Sequence, residues 1–150
     1  MTNPTSAPKL WIILARAHRA LGALAERSIA GTGLCLSDFM VLEALLHKGP
    51  LTIRAIQEKV LLATGSMTAA VDRVENKGLV IRTTTKEDRR VRVLQLTPEG
   101  RKVAELAYEK HAQDLERQME ILSDEEKHQL GELLKKLGRH AAGGQEESTQ

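Results

Sequence analysis

Hydrophobic residues fall at helical spacings along most of this 150-residue chain. Over 8–30, Leu10, Leu14, Ala17, Leu21 and Leu24 recur at intervals of four, three, four and three. This is the seam of a helix that packs on another helix, and Gly31-Thr32-Gly33 ends it. Ser37 is the expected N-cap of a second helix whose inward face is Val41, Leu42, Leu45 and Leu46, stopped by Gly49-Pro50. Thr52 opens a short third helix with Ile53, Ile56 and Val60 as its apolar positions. A fourth helix starts near Thr64, buries Met67, Val71 and Val74, and ends at Gly78.

The period then changes to that of strands. Segments 79–84 and 91–96 are rich in apolar and β-branched residues, and the charged run Thr85-Lys86-Glu87-Asp88-Arg89-Arg90 between them predicts a β-hairpin with a long basic tip. Thr97-Pro98-Glu99 supplies an N-cap, a first-turn proline and an acid for a fifth helix reaching about residue 122. Ser123-Asp124-Glu125-Glu126 is a capping box before a last helix with Leu130, Leu133, Leu134 and Leu137 on one face.

The predicted fold is therefore mainly α with a small β-hairpin wing. A winged helix-turn-helix occupies 36–97, and the helical regions 8–35 and 98–140 flank it. Their leucine stripes are too wide for so short a chain to cover, which predicts dimerisation through the N- and C-terminal helices. Residues 1–7 and 141–150 have the small, polar composition of disordered ends.

Composition narrows the function. Trp11, Phe39 and Tyr108 are the three aromatic residues, which argues against modules that stack nucleobases on aromatic platforms. The net charge of +2 hides a gradient: residues 1–49 carry +2, residues 50–100 carry +3 and residues 101–150 carry −3. One cysteine, Cys35, excludes an internal disulfide and suits a reducing cytoplasm. The polar start 1–8 does not read as an export signal, and no window approaches the roughly 18 apolar residues of a membrane span. A soluble, cytoplasmic protein is expected, with no membrane partner.

The basic middle third carries the candidate chemistry. Opposite its apolar face, the fourth helix presents Gly65, Ser66, Ala69, Asp72, Arg73 and Asn76, with Thr68 at the margin. Small and polar residues there would let the helix enter a major groove. Arg82, Lys86, Arg89, Arg90 and Arg92 crowd the hairpin, as expected for an element that meets phosphates or the narrow minor groove. Asp88 is expected to pair with a neighbouring Arg side chain and so aim another outward.

The run Asp88-Arg89-Arg90-Val91-Arg92-Val93-Leu94-Gln95-Leu96-Thr97 matches D-x-R-x-x-x-L-x-L-T, and in this respect the chain resembles the MarR (multiple antibiotic resistance regulator) family. Thr64-Gly65-Ser66-Met67-Thr68, Glu75-Asn76-Lys77-Gly78-Leu79-Val80 and Thr97-Pro98-Glu99-Gly100 look like that family's recognition helix, its exit into the wing and the start of its fifth helix. The similarity covers roughly 9–140. It implies a homodimeric bacterial or archaeal transcription regulator, usually a repressor, released from a pseudo-palindromic double-stranded DNA operator by small phenolic or lipophilic ligands or by oxidants. By the same resemblance Arg90 is the minor-groove residue and Asp88 its wing partner, while Ser66, Thr68 and Arg73 make major-groove or phosphate contacts. Thr64, Gly65, Ala69, Arg82 and Arg89 complete the expected DNA-binding set.

The resemblance also implies an effector site bordered by the first, second and fifth helices. Trp11, His18, Phe39, Met40, Tyr108 and His111 are the side chains there able to meet a phenol, although Trp11 and Phe39 also read as core or dimer residues. The run 61–68 looks like a branch of the family that responds to quinones and phenols. Cys35, between Leu34 and Leu36, reads as a packed thiol, with a redox switch as the alternative.

No metal or cofactor is expected. Cys35 and His47 lie roughly 18 Å apart along the second helix, too far to share one ion. No nucleophile elbow, P-loop or H-E-x-x-H motif is present, so the chain does not read as an enzyme. The competing reading is a helical protein-interaction module that keeps the fold without binding DNA.

Overall fold

A computed structural model of the protein describes residues 5–60 and 64–143. The expectations for residues 1–4, 61–63 and 144–150 lie outside these. The described residues form α1 (Ala7–Ala30), α2 (Leu36–Lys48), α3 (Ile53–Lys59), α4 (Thr64–Asn76), strands β1 (Val80–Thr84) and β2 (Arg92–Leu96), α5 (Pro98–Met119) and α6 (Asp124–Ala141). The chain divides into two compact units, residues 1–114 and 115–150.

In the first unit the apolar faces read from the sequence converge on one core. Val41, Leu42 and Leu45 of α2 are buried with Ile56 of α3 and Met67, Val71 and Val74 of α4, while Leu94 of β2 closes the sheet side. α2 packs on α1, α3, α4 and β2. β1 and β2 pair antiparallel with Val80 opposite Leu96 and Thr84 opposite Arg92. Leu51 adds a single bridge to Leu94, exchanging backbone hydrogen bonds of 3.2 and 2.8 Å. The two residues between the Gly49-Pro50 stop and α3 were too short a run to read as a strand.

Most helix ends follow local chemistry. Thr52 Oγ1 accepts the Ala55 N–H at 3.1 Å, and Ser123 with Glu126 forms the full capping box. The second helix differs: Cys35, not Ser37, holds the N-cap position, and the Phe39 N–H bonds the Cys35 carbonyl. Burial of Leu34 draws the chain into the core just before the helix, and the Ser37 hydroxyl is spent on α4, as described below. The expected strand start at Leu79 is also displaced. Gly78 (φ 70°) ends α4 in a Schellman motif in which the Gly78 N–H bonds the Glu75 carbonyl and the Leu79 N–H bonds the Val74 carbonyl, both at 2.9 Å.

The N-terminal part of α1 leaves Leu10, Trp11, Ile12 and Ile13 exposed, with Trp11 at 69%. In the second unit α6 buries no residue, and Leu130, Leu133, Leu134 and Leu137 all face solvent. Ala7 and Ala141, expected in the disordered ends, are helical, Ala7 opening α1 and Ala141 closing α6.

Candidate nucleic-acid interface

The outer face of α4 and the hairpin carry the residues that the sequence assigns to a DNA interface. On α4, Gly65, Ser66, Thr68 and Ala69 are exposed while Met67, Ala70, Val71 and Val74 anchor the opposite side. Small side chains over the first two turns leave the backbone open to close approach.

The hairpin tip is a folded loop. Thr85 Oγ1 donates to the Asp88 carbonyl at 2.8 Å and accepts the Asp88 N–H at 3.0 Å. The Asp88 carboxylate does not take up the expected Arg side chain. Its Oδ1 accepts the Arg90 backbone N–H at 2.8 Å, because an Asx turn satisfies the carboxylate locally and leaves the guanidinium groups outside. Arg89 and Arg90 are exposed, and among the described residues no hydrogen bond or ion pair engages their guanidinium groups. Arg82, Thr83, Thr84, Arg89 and Arg92 line an open cleft of about 450 Å³ on the hairpin. Of its three arginines, Arg89 and Arg92 have no ion pair among the described residues and suit an anion.

Two expected contact residues are engaged within the protein. Arg82 of β1 turns back to α4, its Nε 2.6 Å from Glu75 Oε2 and its Nη2 3.2 Å from Asp72 Oδ1, so it ties the wing to the helix. The hydrogen bond with Glu75 raises its pKa above the ordinary arginine value. Arg73 points to α2. Its Nε and Nη2 both lie 2.8 Å from Oδ1 of Asp38, and Nη2 also donates to Ser37 Oγ at 3.0 Å. The hydrogen bond with Asp38 raises the Arg73 pKa in turn. Asp38 is only 1% exposed. It was missed in the sequence, where a lone first-turn acid reads as a helix-dipole residue.

The expected effector residues separate into groups. Phe39 is buried in the core, and its ring meets that of His111 edge-on at 5.1 Å. Tyr108, one turn away on α5, meets His47 of α2 at 4.6 Å, so two ring pairs bridge antiparallel stretches of α2 and α5. The sequence weighs His47 only as a metal ligand with Cys35; its pairing with Tyr108 depends on the α2–α5 contact, which no local pattern reveals. Met40 is half-buried against the core. Among the described residues His111 Nδ1 is the buried side-chain polar atom without a partner. Trp11 and His18 are exposed on α1, and among the described residues no ring contact joins them to these pairs.

Cys35 is exposed rather than packed, 3.1 Å from Ser37 Oγ and 3.5 Å from Arg73 Nη2. Its flanking leucines turn into the core while the thiol points out. Among the described residues there is no cluster of three potential metal ligands, and no helix is long and apolar enough to cross a membrane.

The model of the MarR family matches residues 34–91. The chain is 38% identical over 133 residues to the HTH-type transcriptional regulator MhqR of Bacillus subtilis, covering 89% of this chain and 92% of the relative. A structure of a MarR mutant from E. coli complexed with operator DNA is similar with a TM-score of 0.75 at 23% identity, over 85% of this chain and 92% of that one. CouR from Rhodococcus jostii RHA1, bound to p-coumaroyl-CoA, gives a TM-score of 0.79 at 23% identity, over 85% and 90% of the two chains.

Proposed function

The chain belongs to the MarR family of helix-turn-helix transcription regulators, and from that premise we propose that it is a homodimeric repressor released from a pseudo-palindromic operator by a small aromatic ligand. Such regulators are not enzymes, and the chain is a cytoplasmic DNA-binding protein in this reading. α4 enters the major groove with Thr64, Gly65, Ser66, Thr68 and Ala69 at or near the bases, while Arg90 and Arg89 follow the minor groove and its phosphates. Asp88 shapes the loop that presents them. The observation that carries the proposal is the exposed arginine pair on a folded tip, beside a helix whose outer face is small and polar.

The exposed apolar positions of α1 and of α6 are assigned to a second copy of the chain. Two copies would set recognition helices roughly 34 Å apart, on successive major grooves. The effector site is assigned to the α2–α5 ring pairs, with Met40 beside them. There the unpartnered His111 Nδ1 would take the hydroxyl of a phenol or hydroquinone, as the resemblance to quinone- and phenol-responsive regulators suggests. CouR, bound to p-coumaroyl-CoA, is a regulator of this fold that takes an aromatic acyl ligand.

Duplex binding measured by fluorescence anisotropy across a salt series tests the reading. Affinity should fall steeply with salt, and Arg90→Ala should cost about 1–3 kcal/mol. Binding that is indifferent to both would point to the protein-interaction module instead. A redox trigger at the exposed Cys35 is the second reading. Release of DNA by peroxide that disappears in Cys35→Ser would establish it, whereas release by a phenol that survives in Cys35→Ser supports the ligand site.

A further inference from the structure

Four groups of the α1–α2 turn and the first turn of α2 converge on two cations, Arg73 of α4 and Lys77 just past its end. Arg73 reaches Asp38, Ser37 and Cys35, while Lys77, four residues on, lies 3.5 Å from Asp38 Oδ2 and donates to the Gly33 carbonyl at 3.0 Å. Asp38 is buried at 1% exposure, whereas the Arg73 and Lys77 side chains are each 43% exposed. The apolar face of α4 holds it against the core without direction, since burial rewards contact and not orientation. Two guanidinium N–H groups converging on one oxygen of a buried carboxylate are directional. A second cation one helical turn along, on the other carboxylate oxygen, restrains rotation of α4 about its own axis as well as sliding along α2.

We propose that Asp38 is the positioning residue of the recognition helix, and that Arg73 and Lys77 contribute to DNA recognition through Asp38 rather than by touching DNA. Any rotation that carried Ser66 and Thr68 away from the bases would also strip a buried carboxylate of its partners, which a protein interior penalises heavily. The buried carboxylate is thereby linked to the angle at which α4 is presented. The inference rests on the DNA-binding reading, and it assigns Arg73 the role opposite to that of a phosphate contact.

The two roles differ in salt dependence. The probes are a duplex recovered from a random-sequence pool with the wild-type protein and a scrambled duplex of the same length, each titrated across a salt series. Asp38→Asn and Arg73→Gln should each weaken binding to the selected duplex about tenfold. The slope of log K against log salt and the affinity for the scrambled duplex should stay at wild-type values. Arg73→Lys should lose nearly as much as Arg73→Gln, because an ammonium cannot reproduce the guanidinium's paired contact.

If instead Arg73→Gln lowers the slope by about one while Arg73→Lys binds as wild type and Asp38→Asn binds as tightly or tighter, Arg73 is a phosphate contact and the proposal fails. Unchanged selected-duplex affinity in all three variants also overturns it. Should Asp38→Asn fail to fold, the two Arg73 variants, at a half-exposed position, decide alone. A wild-type protein that binds no duplex removes the regulator reading and this role together, which is distinct from failure of the clamp on a protein that binds.

Discussion

At Gly100 the first turn of α5 passes so close to the end of the recognition helix that a Cβ would lie 1.8 Å from the Leu79 carbonyl oxygen and 2.7 Å from its carbon. Thr97 seals the junction: its Oγ1 donates to the Gly78 carbonyl and accepts the Gly100 N–H, and its backbone N–H bonds the Leu79 carbonyl. Gly100→Ala must therefore push α5 away from Gly78 and Leu79. It should destabilise the protein by about 3 kcal/mol, measured as a lower urea midpoint with an unchanged m-value; a wild-type midpoint would mean that the junction yields freely. The sequence marks this place as a helix start, but it does not say that the neighbour is the Leu79 backbone, twenty-one residues earlier. The same blindness applies to Arg73 and Arg82. Both stand on faces that look basic and solvated, and both are neutralised by acids of another element or of a distant turn. Periodicity separates inside from outside; it cannot say which outward charge meets an opposite one after folding.

Among the elements, those whose ends are set by local chemistry were readable, and those set by tertiary contact were less so. The capping box of α6, the Thr52 cap of α3 and the glycine stop of α4 appear where the residues place them, because each satisfies backbone groups within its own turn. The start of α2 and the Leu51 bridge answer instead to core burial and to a strand more than forty residues away. The wing combines both. Its strands were evident, yet its tip is ordered by Thr85 and Asp88 bonding to backbone, a use of Asp that competes with the expected ion pair. Asp88→Ala should leave thermal stability within about 1 kcal/mol of wild type, since the loop is exposed, while operator affinity falls because Arg90 is no longer held in one orientation. Equal affinity in a duplex titration would remove Asp88 from the interface. Ser123→Ala, by contrast, should cost about 1 kcal/mol of stability through α6, read from thermal unfolding.

For the whole molecule the decisive quantity is the apolar surface that one chain leaves in water. Leu133 is 64% exposed and Trp11 69%, and each belongs to a run of neighbouring apolar residues rather than standing alone. Surfaces of this kind mark association sites, and under the proposed function a second copy of the chain is the occupant. Joining two winged helix-turn-helix modules makes the second half-site contact intramolecular, which raises affinity by about 10²–10⁴-fold without any new contact to DNA. Leu133→Glu with Leu137→Glu places carboxylates in the α6 stripe and should yield a monomer in sedimentation velocity. Met67, Val71 and Leu94 belong to the core of the first unit, so helical circular dichroism should be retained. The monomer should bind a single half-site duplex as weakly as the wild type does, and it should lose the gain from a full palindrome. A variant that remains dimeric would exclude α6 from the interface. One that is monomeric yet binds the palindrome at wild-type affinity would show that each subunit reads DNA alone, leaving the leucine stripes to some other partner.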